Sequence, residues 1–116
     1  MEMINRIAVV VQPKQPLIDW LNQTPELASE PPFTLEDVRM ENDVLLVLDA
    51  DDLEKVIRFL RPRKLALFEM QLESWCTDPD LWPQNPTTKM FNEWFDLMIH
   101  DPVWDLVDRP TEYEVY

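Results

Sequence analysis

The chain has 116 residues, with 23 acidic against 10 basic side chains for a formal charge of -13, and it contains no glycine, one cysteine and one histidine. Without glycine there is no Walker-type phosphate loop, no dinucleotide fingerprint and no Gly-x-Ser-x-Gly nucleophile elbow, since each needs backbone that only glycine supplies. One cysteine and one histidine exclude an intrachain disulfide, a cysteine zinc site, an iron–sulfur cluster and a multi-histidine metal centre, and the acidic balance repels phosphate backbones and anionic lipid.

Residues 5–12 read as the first strand. Ile7-Ala-Val-Val-Val11 is a continuous apolar run, and with both faces apolar it is expected centrally in a sheet covered on both sides. Pro13 ends it. Pro16 suits the first turn of a helix whose inner face is Leu17, Trp20 and Leu21. A proline-rich connector follows, and Thr34 with Asp37 three residues on signals a capped helical turn. Residues 44–48 read as a second strand. The acidic run Asp49-Ala-Asp-Asp52 then precedes a helix with the stripe Leu53, Val56, Ile57 and Leu60. Carboxylates there cap free N–H groups, and a magnesium site from Asp49, Asp51 and Asp52 lacks any accompanying phosphate loop. Arg58, Arg61, Arg63 and Lys64 gather at the far end of that helix, where cations complement its dipole.

Residues 64–76 read as a third helix. Leu65, Phe68, Leu72, Trp75 and Cys76 fall on one side, Leu67 and Met70 on the other. A helix apolar on two sides is sandwiched or lies at a subunit contact. Residues 87–100 read as a fourth helix with Phe91, Trp94, Phe95 and Met98 inward, which leaves Glu93, Asp96 and His100 on its solvated face. Residues 103–107 read as a last strand. Asn22, Asn42 and Asn85 stand where turns need tolerance of positive φ and no glycine is available.

The expected fold class is therefore α/β (α+β): a small three-stranded, partly parallel sheet packed with about four helices, in the order β-α-β-α-α-α-β. The parallel pairing is inferred from the helix-containing crossover between the first two strands. Residues 1–110 are expected as a single globular domain and 111–116 as a flexible acidic tail. The N-terminus lacks a signal-peptide pattern and no apolar run approaches the ~20 residues that span a bilayer. A lone cysteine fits a reducing compartment, so the expectation is cytoplasmic.

The densest chemical cluster is Glu73-Ser-Trp-Cys-Thr-Asp-Pro-Asp-Leu-Trp-Pro83. Trp75 and Trp82 can wall a cavity, with Glu73, Thr77 and Asp78 as polar contacts. The competing structural reading has both tryptophans filling the core and Thr77 or Asp78 capping helix ends. Lys14 and Gln15 follow the first strand, and ligands favour crevices at the carboxyl ends of parallel strands. Cys76 and His100 form the one conceivable thiol–imidazole pair, but Cys76 lies on a core stripe, where a thiol is inert. No catalytic residue, metal ligand or cofactor is assigned.

Val11-Gln-Pro-Lys-Gln-Pro-Leu-Ile-Asp-Trp20 resembles the start of a family of small, uncharacterised bacterial proteins. The Glu73-to-Pro83 segment is similar to its second signature and Phe91-Asn-Glu-Trp-Phe-Asp96 to a third. The resemblance implies a bacterial cytosolic origin and attaches neither activity nor catalytic residue. It also implies a tyrosine or similar residue where Cys76 stands, which further weakens a thiol role.

Three functions follow. The favoured one is a non-catalytic protein-interaction module, extending to a homodimer, motivated by Leu67 and Met70 on the third helix and by the aromatic content. The second is a small-ligand binder or enzyme at the end of the first strand, using Lys14, Trp75, Asp78 and Trp82. The third is an acidic mimic of nucleic acid, which needs carboxylates arrayed like phosphates. The expected partner is a protein or a second copy, with no direct nucleic-acid binding and no membrane.

Overall fold

The β-branched run beginning at Ile7 forms the centre of a three-stranded sheet in the computed structural model, which describes residues 1–115. A short strand β1 (Glu2–Met3) precedes this central strand, β2 (Arg6–Pro13). β2 is flanked by β3 (Asp43–Leu48) and β4 (Phe95–His100), in the order β3-β2-β4. Ile7 faces Val47 and Val11 faces Asp43 on one side; Val9 faces Ile99 and Pro13 faces Phe95 on the other. A separate two-stranded ribbon pairs β1 with β5 (Trp104–Asp105). Among the described residues five helices complete the fold: α1 (Gln15–Gln23), α2 (Leu35–Val38), α3 (Leu53–Leu60), α4 (Lys64–Trp75) and α5 (Thr88–Trp94). Short 3-10 turns lie at Arg61–Arg63 and Pro79–Leu81.

The mixed helix-and-strand class matches the expectation, but the partly parallel sheet does not form: every pairing is antiparallel. A helix-containing connection permits a parallel return without requiring one. Here α1 and α2 form an excursion from the carboxyl end of β2, and the chain returns at that same end, with Asp43 opposite Val11.

The fourth helix is also shorter than its spacing suggests. α5 stops at Trp94, and Phe95 is extended (φ -139, ψ 147). From there Phe95, Leu97 and Ile99 turn inward while Asp96, Met98 and His100 alternate with them, a period-2 pattern confirmed by pairing with β2. The last strand, expected at 103–107, shrinks to β5 and pairs with β1 instead of joining the main sheet.

Local chemistry sets the helix starts. Pro16 lies in the first turn of α1. Thr34 and Asp37 form a reciprocal capping box on α2. Asp52 accepts the Glu54 N–H at 2.9 Å, and Thr87 accepts the Met90 N–H at 3.1 Å. Of the three asparagines expected at positive φ, only Asn85 (φ 51) has it among the described residues. Asn22 instead clamps the backbone of Phe33: its Nδ2 donates to the carbonyl and its Oδ1 accepts the N–H, both at 2.9 Å. Asn42 donates to the Arg39 carbonyl at 3.1 Å.

The helices pack on one face of the sheet. Val11, Leu17, Ile18, Leu21, Phe68, Leu72, Phe91 and Phe95 form the larger core, and Val56 and Leu60 of α3 pack with Ile7, Val9 and Val47 in a second cluster. Phe68 anchors the larger one, with ring centroids 5.9, 5.4 and 5.9 Å from Phe91, Trp94 and Phe95, distances typical of tilted and edge-on aromatic packing. Among the described residues no helix packs on the opposite face, where Val44, Leu46, Leu48 and Met98 are exposed, contrary to the two-sided cover expected for β2. Residues 111–115 are exposed and carry no regular structure, and Tyr116 of the expected tail lies outside the described residues. No helix among the described residues is long and apolar enough to cross a membrane.

Candidate functional site

The residues singled out in the sequence separate in space. Lys14 Nζ donates to the Asn92 carbonyl at 2.9 Å and lies 3.5 Å from Asp96 Oδ1, while its backbone N–H donates to the Trp94 carbonyl. It thus ties the end of β2 to the α5–β4 junction. Gln15 Nε2 donates to Asp19 Oδ1 on the exposed side of α1. Trp82 Nε1 donates to the Cys76 carbonyl at 2.8 Å, and Trp20 Nε1 donates to the Leu81 carbonyl at 3.1 Å. Asp78 Oδ1 accepts the Asp80 N–H at 3.0 Å. These bonds fold the Trp75-to-Pro83 loop onto itself and onto α1, and Trp75 and Trp82 are partly buried against the larger core. Glu73 and Thr77 are exposed. Cys76 is buried, with its thiol 3.5 Å from the Asp78 carbonyl.

The apolar second side of α4 also changes meaning. Leu67 is half-buried and packs against the larger core, so its own chain covers it, whereas Met70 remains 39 % exposed. The cationic cluster is built into the end of α3. The Arg63 guanidinium lies 3.6 Å from the Phe59 ring centroid and donates to the Phe59 carbonyl, and Lys64 reaches Asn92. Glu93, Asp96 and His100 are exposed as expected, although they come from a helix and a strand rather than one helix.

Two features emerge that the sequence did not single out. The first is a cleft of about 500 Å³ where β2 ends and β3 begins. Val11, Pro13, Leu17, Val38 and Trp75 form its apolar wall; Asp37, Glu41, Asp43 and Gln71 are among its polar groups. Trp75 is thus the one member of the expected ligand set that lines it. Gln71 is only 7 % exposed, and its Nε2 donates to Asp43 Oδ2 at 2.6 Å. In the sequence Gln71 sits between Met70 and Leu72 on an amphipathic helix, where a glutamine reads as solvated surface. Only the approach of α4 to the start of β3 encloses it.

The second feature is the uncovered sheet face. Register places Val44, Val10 and Met98 in one row across the three strands and Leu46, Ala8 and His100 in the next, with Leu48 beside Arg6 beyond them. Val44, Leu46 and Leu48 are 58 %, 56 % and 64 % exposed. The signal was present in the sequence, because residues 44–48 are apolar at both alternations, but that pattern equally describes a strand buried on both faces.

No family model matches the chain, and no curated protein or solved structure matches it. The geometry of the cleft and of the open sheet face therefore carries the functional reading.

Proposed function

We propose that the chain is a non-catalytic interaction module that associates with a second copy of itself through the uncovered face of its sheet. The observation that carries this reading is the set of large aliphatic side chains, Val44, Leu46 and Leu48 with Val10 and Met98, left on a face that no helix among the described residues covers. Exposed contiguous apolar surface of this kind is favourable to bury against a partner.

Local charge at this face does not bar a second copy, although the like net charge of the two chains opposes their approach. The face carries one carboxylate, Asp96, and Lys14 lies beside it; Arg6 is also on this face. Two chains of charge -13 can therefore approach here without setting carboxylate against carboxylate. A two-fold contact needs a self-complementary patch, and an apolar sheet face packed on its copy at about 10 Å meets that need.

Three strands at ~4.8 Å spacing and roughly 20 Å long give a flat footprint of roughly 300 Å². That places the contact in the weak, transient class. Sedimentation velocity from about 10 to about 500 µM, the range for a weak contact, should show the mass rising toward twice that of one chain. Leu46→Lys should hold the protein at one chain with an unchanged circular dichroism spectrum. A single-chain mass across the whole range, or a Leu46→Lys variant that associates as the wild type does, would remove the reading.

A further inference from the structure

We propose that the outer edge of β4 is a second self-association site, where β4 pairs antiparallel with β4 of another copy about Met98 and the two sheets become continuous. Among the described residues β4 has β2 on one side and no strand on the other. Two backbone bonds fix which of its groups point outward. The Lys14 N–H donates to the Trp94 carbonyl in line with the β2–β4 ladder, and the Asp49 N–H donates to the Asn5 carbonyl in line with the β2–β3 ladder. Alternation then turns the backbone groups of Asp96, Met98 and His100 toward β2 and those of Phe95, Leu97 and Ile99 away from it. The Phe95 N–H closes the end of α5 on the Phe91 carbonyl. The N–H and carbonyl groups of Leu97 and Ile99 have no hydrogen-bond partner among the described residues. β4 also holds no proline or lysine, the residues that block strand addition at an edge.

The occupant follows from the chemistry of Asp96-Leu-Met-Ile-His100, which complements itself when reversed. Pairing about Met98 sets Leu97 against the partner's Ile99 and Ile99 against the partner's Leu97, each pair exchanging both of its backbone hydrogen bonds. Inward, these apolar pairs extend the wall of a cleft of about 320 Å³ that Leu97 and Ile99 share with Ile57 and Leu60 of α3. Outward, Met98 meets the partner's Met98, and Asp96 meets the partner's His100 at both ends of the contact. An imidazole has an N–H to donate to a carboxylate in either protonation state. The β3 edge is different. Its outward backbone groups belong to Val44, Leu46 and Leu48, and pairing about Leu46 would set Asp43 against the partner's Asp49 at both ends. Like charges directly across a strand pair are destabilising. A second copy is thus accepted at β4 and repelled at β3. The pairing rests on the face contact, which supplies copies already held in twos, because a strand pair this short is marginal in water by itself. The edge lies to the side of the apolar face, so both contacts can be made at once.

The test is amide hydrogen exchange of the full chain, read by proton–nitrogen NMR at about 50 µM and about 2 mM, with sedimentation over the same range. Exchange at Leu97 and Ile99 should slow by about threefold or more at the higher concentration, while Val44, Leu46 and Leu48, whose N–H groups point out at the β3 edge, should not change. The mass should pass two chains above about 500 µM. Ile99→Pro removes an outward N–H without touching the β2 ladder or the outer face, and should stop assembly at two chains. Should that variant fail to fold, the exchange comparison on the wild type decides alone. The proposal is overturned if Leu97 and Ile99 exchange equally at both concentrations, if the β3 edge slows as much, or if folded Ile99→Pro assembles as the wild type does. A wild type that stops at two chains with unchanged exchange removes the edge and leaves the face contact standing. A Leu46→Lys variant that still reaches two chains, with Leu97 and Ile99 slowed, removes the face contact and keeps the edge. A single-chain mass throughout overturns both.

Discussion

Val9 and Val44 are the same residue type on neighbouring strands of one sheet. Val9 is fully buried beside Val56 and Leu60 of α3, whereas Val44 is more than half exposed on the side that no helix covers. Which valine reaches the core is thus decided by strand parity and helix placement, and residue chemistry contributes nothing to the choice. The inner face draws its stability from helices of the same chain. The outer face holds comparable hydrophobic side chains in contact with water, where they add little to folding and much to the free energy available for association.

The widest gap between the faces should appear on truncation. Phe68→Ala removes a fully buried ring from the larger core and should cost about 3–5 kcal/mol, read as a fall in denaturant midpoint. Leu46→Ala, on the outer face, should stay within about 0.5 kcal/mol of wild type at low protein concentration. A Leu46→Ala cost approaching that of Phe68→Ala would mean the outer face is covered within the single chain, and the comparison would collapse. A smaller effect is expected at Asn22, whose side chain closes both polar groups of Phe33. Asn22→Ala leaves a partly buried N–H and carbonyl unpaired and should cost about 1–3 kcal/mol, with faster amide exchange at Phe33. An unchanged exchange rate there would show that water replaces the clamp without loss.

The smallest effect belongs to Asp51. The Lys55 ammonium, bonded at 2.7 Å, and a backbone hydrogen bond hold its carboxyl below the ordinary range. A carboxyl with a lower pKa folded than unfolded contributes stability above its unfolded value, and that contribution fades as pH falls through the folded value. The pair is exposed to solvent, so Asp51→Asn should barely move the melting temperature at neutral pH, and should not move it at all in strong acid. A large loss at neutral pH would assign Asp51 a role beyond the pair.

Legibility followed the range of the interaction. The caps at Thr34, Asp52 and Asp78, and the extent of α4, depend on residues a few positions apart, and the sequence shows them. The Phe95 boundary does not. Phe91, Trp94, Phe95 and Met98 satisfy helical spacing, while Phe95, Leu97 and Ile99 satisfy strand spacing, and only hydrogen bonds to β2 choose between them. Antiparallel pairing was hidden for a similar reason, because the direction of return is a property of how helices dock. For the candidate site, Trp75 was visible as a tryptophan beside a rigid loop. Gln71 and Asp43 were not, because their bond joins α4 to β3 across 28 positions.

The placement of β4 has a consequence for the order in which the fold can assemble. β2 finds its first neighbour in β3 after a moderate loop, but its second neighbour pairs Pro13 with Phe95 and Ala8 with His100. Closing so long a segment is entropically slow, and contacts of that separation form late. Until His100 has emerged from the ribosome, one edge of β2 remains an unpaired strand beside an unfinished core. The nascent chain therefore passes through a stage in which its most apolar strand is open to foreign strands. Chaperone dependence and aggregation during synthesis should be governed by how quickly β4 arrives, independently of how stable the finished sheet is.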